Sequence, residues 1–312
     1  MKVVFIDKCH DSVRVELNAI GFNSVEEYHS ASSDIAKMHS DAIGFIIRSR
    51  FRLDEDYLKQ FPDLKFIGRF GAGMENIDVL WAEDNGIHCL SAAEGNRDAV
   101  GEHAIGMLLS LFNRLSSANS EVKNGIWRRE ENRGEELAGK TVGIIGYGPM
   151  GQSFAEKLKG FNVRILVYDK YKSNFKHKHI EEVDLASIQN NSDVVSIHLP
   201  LTQETQNYID RESLDRFKKP IYILNTSRGN QLNTRALIDS LESKKVLGAC
   251  LDVLEFESSS FSTSNDILEN PQFQFLAHSP NVLLSPHIAG WTHQSNNKMA
   301  QVLIDKIRNL RN

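Results

Sequence analysis

The chain has 312 residues, 41% hydrophobic and 25% charged, the composition of a globular protein long enough for two domains of ~100–200 residues each. A net charge of -5 argues against nucleic acid or an anionic membrane surface as the main partner. No window approaches the ~18 apolar residues of a membrane span, the start lacks signal-peptide features, and three scattered cysteines (Cys9, Cys89, Cys250) read as free thiols of a reducing cytoplasm.

The first third alternates between short apolar strands and helices. Val3–Ile6 reads as a strand, Ser12–Ile20 as a helix, Ala42–Arg48 as a strand and Glu55–Phe61 as a helix. Leu64–Gly68, Val79–Asn85 and His88–Leu90 continue as strand, helix and strand. Apolar strands separated by helices predict a parallel sheet covered on both faces and wound right-handedly. A long helix is expected over Ala99–Asn124. A second alternating block then offers six strands, at Thr141–Ile145, Val163–Tyr168, Asp193–His198, Tyr222–Asn225, Gly248–Val253 and Val282–Leu284. Helices fall between most of them, at Met150–Lys159, Leu185–Asn190, Arg211–Phe217 and Thr234–Ser243. Ser258–Pro280 reads as a long loop with one turn of helix at Ile267–Leu268, and a last helix spans His293–Arg308. The expected fold is α/β, with two doubly wound domains. Residues 1–98 plus 291–312 form the first, flavodoxin-like domain, and residues 99–290 form an inserted Rossmann domain.

Gly146-Tyr147-Gly148-Pro149-Met150-Gly151 stands where a strand becomes a helix. Such a loop gives a tight turn, room for a pyrophosphate against the backbone, and close helix–strand packing, with the helix N-terminus facing the phosphates. Asp169 follows at the next strand end, where a carboxylate accepts from ribose hydroxyls and repels a 2′-phosphate, so NAD is expected. The downstream cluster of Lys170, Lys172, Lys176, His177, Lys178 and His179 keeps NADP as an alternative. The ends of three later strands carry Arg228, Glu257 and His287, near where ligands bind in open α/β sheets. Arg228 can hold a carboxylate through a bidentate fork, His287 can exchange a proton near neutral pH, and Glu257 can orient it. Ligand spacing for zinc or calcium is absent.

These motifs resemble those of the D-isomer-specific 2-hydroxyacid dehydrogenase family. The likeness runs through Gly146–Gly151, Asp169, His198–Thr202, Asn225–Gly229, Leu251–Val253, Glu257 and Ser285–His287. Upstream it takes in Arg69–Asp78 and Gly95–His103. It implies two doubly wound domains flanking a cleft, NAD as cofactor and a homodimer built on the long helix from Ala99. It implies Arg228 as the carboxylate clamp, His287 as the acid/base and Glu257 as its support. It implies that His198, Pro200, Thr226 and Asp252 join the glycine loop as cofactor residues, with Asp252 on the nicotinamide carboxamide. It further implies that backbone N–H groups at Ala72 and Gly73 help hold the substrate carboxylate.

Arg48 and Arg50 lie at period two on one face of an extended segment. Arg69 and Arg97 lie on other segments expected at the same cleft. Together they suggest a second anion on the substrate and resemble the phosphoglycerate dehydrogenase branch, which acts on 3-phosphoglycerate and 3-phosphohydroxypyruvate. The C-terminal regulatory domain common in that branch is not expected, and Trp291, four residues after His287, departs from the usual small residue. The alternatives are a glyoxylate/hydroxypyruvate reductase and, from another class, a non-enzymatic NAD-sensing corepressor.

Overall fold

The computed structural model describes residues 1–175, 178–257 and 265–310. They form two compact units, residues 1–97 with 291–312 and residues 98–290.

In the first unit, β1 (Lys2–Phe5), α1 (Asp11–Ala19), β2 (Asn23–Glu26), α2 (Ser32–Met38) and β3 (Ala42–Ile47) are followed by α3 (Glu55–Leu58), β4 (Phe66–Arg69), α4 (Val79–Asp84) and β5 (His88–Ser91). The strands are all parallel, in the order β2-β1-β3-β4-β5. Alternate residues of β1 and Ile6 just after it feed opposite cores. Val4 and Ile6 pack with Phe45, Ile47 and Phe61, and Val3 and Phe5 pack with Ile46, Phe66 and the C-terminal helix residues Met299 and Leu303. Burial on both faces is what a parallel sheet with helical crossovers requires.

The chain leaves this sheet through α5 (Ala93–Phe112) and α6 (Leu115–Lys123). The single long helix expected over Ala99–Asn124 is therefore corrected. It begins at Ala93 and breaks at Arg114, whose φ of 51 places it in the left-handed region. Gly95 lies inside the helix because a side chain there would collide with the backbone of Met299.

The second unit runs β6 (Thr141–Ile145), α7 (Pro149–Leu158), β7 (Arg164–Tyr168), β8 (Glu181–Glu182), α8 (Leu185–Asn191), β9 (Val194–Ile197) and α9 (Arg211–Arg216). It continues with β10 (Ile221–Asn225), α10 (Thr234–Glu242), β11 (Val246–Leu251), α11 (Pro271–His278) and β12 (Val282–Leu284). Its seven strands are parallel, in the order β12-β11-β10-β9-β6-β7-β8. The order reverses between β6 and β9, the switch point at which doubly wound sheets bind nucleotides. The last helix, α12 (His293–Asn309), belongs to the first unit and opens with a capping box at Thr292 and Ser295. Residues 258–264 of the expected loop lie outside the described residues. Its remainder is ordered as a 3₁₀ turn over Asn265–Glu269 and then α11, whose Asn270 side chain caps Gln272 and Phe273.

Candidate active site

The glycine loop in the second unit is shaped by close backbone approach. Gly146 has a φ of +94, and a Cβ on it would stand 2.5 Å from the carbonyl oxygen of His198. A Cβ on Gly151 would collide with the carbonyl oxygen of Gly146, so the helix start can lie against the turn only without a side chain. A Cβ on Gly148 would meet nothing within 4 Å. Its bare backbone therefore borders open space at the N-terminus of α7, which has Gly148 as N-cap, no side-chain cap and Pro149 in the first turn. The N–H groups of Met150 and Gly151 lie in that first turn, where α-helical backbone donors lack intrahelical partners.

Asp169 braces the loop from the neighbouring strand end. Its Oδ2 accepts from the Tyr147 N–H at 2.7 Å, and its Oδ1 accepts from the N–H groups of Tyr171 and Lys172, each at 3.0 Å. Lys170 and the Tyr171 hydroxyl both engage Glu204, so part of the basic cluster has acidic partners of its own. Lys176 and His177 lie outside the described residues.

Thr226 follows β10, is buried, and its hydroxyl has no hydrogen-bond partner among the described residues. A buried polar group in that state calls for an external partner. The open space at Gly148, the uncapped helix and this hydroxyl all fit a dinucleotide.

His198 and Pro200 take different places from those expected. The His198 ring is in the core, hydrogen-bonded through Nε2 to Ser196 Oγ at 2.7 Å and packed 5.4 Å from the Phe154 ring. Burial pushes its pKa down to about 3, so it stays neutral. What it presents to the glycine loop is its carbonyl. Pro200 is exposed, and its carbonyl accepts from Thr205 Oγ1 at 2.6 Å and Gln231 Nε2 at 2.9 Å.

Arg228 stands at the end of a turn shaped by Asn225, whose side chain accepts from the Ser227 N–H and donates to the Arg228 carbonyl, each at 3.0 Å. Its Nη1 donates to the Ser227 carbonyl at 2.7 Å. The next residue, Gly229, lies so close to Leu254 and Glu255 that a Cβ there would collide with their backbone. That contact locks the loop after β10 to the loop after β11. Glu257 closes the second loop, accepting from the Leu254 N–H through Oε1 at 2.7 Å. Its Oε2 lies 2.7 Å from Nδ1 of His287, with the two side chains 17% and 18% exposed. A carboxylate only accepts, so Nδ1 carries the proton in this bond, and the protonation that can change is at Nε2.

His287 has a φ of 54, left-handed backbone that costs a residue with a Cβ roughly 1–2 kcal/mol. Asp252 holds it there. The Asp252 carbonyl accepts from the His287 N–H at 2.8 Å. Its Oδ1 accepts from the Ile288 N–H at 2.9 Å and Ser285 Oγ at 2.5 Å, and its Oδ2 from the Ala289 N–H at 2.8 Å. The carboxylate is fully buried. Burial opposes its charge, yet hydrogen bonds from His103, Ser285, Ala289 and Ile288 hold its pKa below the usual aspartate value. Asp252, expected on the cofactor, thus has both oxygens engaged in the histidine loop. Ser285 and His103, quoted in the motifs without a role, complete this network.

In the first unit, residues 48–50 do not continue the strand. β3 ends at Ile47, and the N–H groups of Arg48, Ser49 and Arg50 turn onto Asp7 Oδ2 at 2.6, 3.0 and 3.3 Å. The period-two face expected for Arg48 and Arg50 is therefore absent. The Arg50 guanidinium reaches the carbonyls of Ile6 at 2.8 Å, Glu27 at 2.5 Å and Ser30, bracing the ends of β1 and β2. Arg48 instead stacks on the Trp291 ring, 4.6 Å from its centroid. Arg69 is buried and donates to the Phe70 carbonyl at 3.0 Å. Ala72 and Gly73 are half-buried in the turn beyond it, which is pinned by a 2.8 Å bond from the Ala92 N–H to the Gly71 carbonyl. Arg97 is exposed on α5. Among the described residues there is no group of three metal-ligating side chains and no helix long and apolar enough to cross a membrane.

The family model described as "D-isomer specific 2-hydroxyacid dehydrogenase, NAD binding domain" matches residues 105–289. A hydroxypyruvate reductase from Thermotoga maritima is 32% identical over 91% of this chain and 89% of its own length. A D-3-phosphoglycerate dehydrogenase from Archaeoglobus fulgidus is also 32% identical, over 85% of this chain but only 49% of its own length, so this chain spans about half of that relative. A solved glyoxylate reductase from Paecilomyes thermophila superposes with a TM-score of 0.88 at 23% identity, covering 99% of this chain and 94% of that one.

Proposed function

The chain belongs to the D-isomer specific 2-hydroxyacid dehydrogenase family, and from that premise we propose that it interconverts a D-2-hydroxy acid and its 2-oxo acid through Arg228, Glu257 and His287. The observation that carries these roles is the 2.7 Å bond between Glu257 and His287, on loops beyond the neighbouring strands β11 and β12. Bound NADH supplies the hydride for the ketone carbon in the reductive direction. Gly146, Gly148, Pro149, Met150 and Gly151 would hold its pyrophosphate, Asp169 its ribose hydroxyls, and Thr226 would offer its hydroxyl to the bound cofactor. Arg228 holds the substrate carboxylate and draws electron density from the adjacent carbonyl. His287 delivers a proton from Nε2 to the carbonyl oxygen, and Glu257 stabilises the ring through Nδ1. Oxidation reverses each transfer.

For the substrate we propose 3-phosphoglycerate and 3-phosphohydroxypyruvate, with Arg48 and Arg97 as the donors to the distal anion. Arg48 follows β3 at the carboxyl end of the sheet, beside β1, the switch point of the order β2-β1-β3-β4-β5. Its guanidinium lies over the Trp291 ring, which supports a donor held in place. A second reading, hydroxypyruvate or glyoxylate, is favoured by the commitment of Arg50 and Arg69 to backbone carbonyls. It is favoured also by the match to a reductase over nearly that protein's whole length.

The test compares kcat/KM for 3-phosphohydroxypyruvate, hydroxypyruvate, glyoxylate and pyruvate with NADH, in wild type and in His287→Ala. A preference for the phosphorylated acid of about tenfold or more, a difference of ~1.4 kcal/mol, supports the first substrate, and the opposite preference sinks it. Loss of His287 should lower kcat by ~10²–10⁴-fold; an unchanged kcat would remove the acid/base assignment. The exposed apolar side chains Leu115, Val122, Ile126 and Trp127 on and after α6 support a homodimer, which light scattering of wild type and Trp127→Glu would test.

A further inference from the structure

We infer that His103, on α5, is a positioning residue for His287, acting through Ser285 and the buried carboxylate of Asp252. The inference rests on the reading of His287 as the acid/base. His103 lies at no strand end and in no glycine loop, so its role follows only from the network it joins.

The direction of each bond follows from donor counting. Ser285 Oγ lies 2.5 Å from Asp252 Oδ1. A carboxylate only accepts and a hydroxyl has one proton, so Ser285 gives that proton to Asp252. His103 Nε2 lies 3.0 Å from Ser285 Oγ and 3.4 Å from Asp252 Oδ1. With the hydroxyl proton committed, His103 has to donate from Nε2, toward the Ser285 lone pairs and the carboxylate together. Met107, one turn further along α5, places its sulfur 3.6 Å from the same hydroxyl. One face of α5 therefore seats Ser285.

The consequence reaches His287 through backbone. Asp252 supplies the acceptors for the N–H groups of residues 287, 288 and 289. These bonds straddle the one left-handed residue of the loop, His287. A carboxylate with no exposed surface keeps its place only while it is fully hydrogen-bonded. The hydrogen bond from His103 is the first of those that hold the Asp252 carboxyl ionised against its burial. Removing it leaves Asp252 with fewer donors, and the easiest relief is movement of the 285–289 loop. The imidazole then loses its alignment although Glu257 and the glycine loop are untouched.

The test uses the full chain with His103→Phe, which keeps a ring without a donor, and His103→Gln, whose amide nitrogen sits the same number of bonds from the backbone as Nε2. Steady-state kinetics and NADH binding by fluorescence are combined with amide hydrogen exchange at residues 287–289. For His103→Phe, kcat should fall about tenfold to a hundredfold, the scale of a slightly misplaced acid/base group. NADH affinity should hold within about twofold, and the amides of Ile288 and Ala289 should exchange faster. His103→Gln should restore most of both. An unchanged kcat, unchanged exchange, or a glutamine no better than phenylalanine overturns the inference. If the phenylalanine variant does not fold, Ser285→Ala breaks the same chain of bonds, and wild-type kcat and exchange in that variant overturn it equally. The exchange measurement needs no turnover, so a wild type inactive on every 2-oxo acid would defeat the proposed reaction while exchange still decided the brace.

Discussion

Replacing Gly229 by alanine tests whether the proposed site depends on the contact between two loops. The added methyl would stand closer than 3.0 Å to three backbone atoms, the carbonyl carbon and oxygen of Leu254 and the nitrogen of Glu255. None of these is the end of a side chain that can rotate away, so the two backbones have to part. Leu254 is tied through its N–H to Glu257 Oε1, and Glu257 to His287. Arg228 is the residue before the glycine. The displacement therefore falls between the carboxylate clamp and the acid/base pair. A shift of about 1 Å near reacting groups costs ~10²-fold in rate. Overpacking of this kind costs ~1–3 kcal/mol, less than the ~5–15 kcal/mol of a native domain, so the variant should fold with a lowered melting temperature. Cofactor affinity should change less than kcat, because the glycine loop that would hold the pyrophosphate lies beyond β6, away from this contact. The assay is NADH oxidation with the best 2-oxo acid, paired with NADH fluorescence titration and a thermal melt. A kcat within about threefold of wild type, under ~1 kcal/mol of barrier, would refute the idea that this contact aligns Arg228 with Glu257 and His287.

Gly148→Ala should behave oppositely: its methyl meets no atom within 4 Å, so the melting temperature should stay put while NADH Kd rises about tenfold, ~1.4 kcal/mol. Calorimetric titration with NADH checks this, and an unaltered Kd would place the pyrophosphate elsewhere. His198 should make the second unit acid-sensitive. Its folded pKa of about 3 lies below the ordinary 6.5, so the unfolded chain takes up a proton first as pH falls. The stability from keeping the ring neutral is complete above about pH 6.5 and is lost progressively toward pH 3, with a loss of ~2 kcal/mol at about pH 5. Melting curves between about pH 7 and pH 5 should be steeper for wild type than for His198→Phe, and parallel curves would contradict the assignment.

Much of this architecture was legible because parallel strands buried on both faces leave continuous apolar runs. Thr141–Ile145 and Val282–Leu284 are strands over the range expected, and most other expected strands start or end within a residue or two of it. Two of the four edge strands were not legible. β2 consists of Asn23, Ser24, Val25 and Glu26, and β8 of Glu181 and Glu182, and neither is fully buried at any position. An edge strand needs no apolar run, so these two offered no pattern to read. The helix α11 was hidden for another reason. Its start signal, Asn270 as cap with Pro271 in the first turn, follows a polar stretch whose composition reads as loop.

The candidate site divides along the same line. Residues whose chemistry is their own, such as Arg228, Glu257 and His287, can be picked out by type and by position at strand ends. Residues whose work is to satisfy backbone cannot. Asp252, Asp7 and Arg50 are charged and were expected either to meet a ligand or to go unnoticed, yet all three hold loop backbone at the carboxyl ends of strands. The reason is physical. Loops that carry functional side chains leave the sheet with unpaired N–H and C=O groups, and burying those groups requires ionised partners that hydrogen-bond several at once. A charged residue just beyond a parallel strand is therefore as well suited to building the site as to serving in it. In this chain the two uses separate only in three dimensions: Asp252 accepts inward from residues 285–289, while Glu257 engages the imidazole whose backbone Asp252 holds.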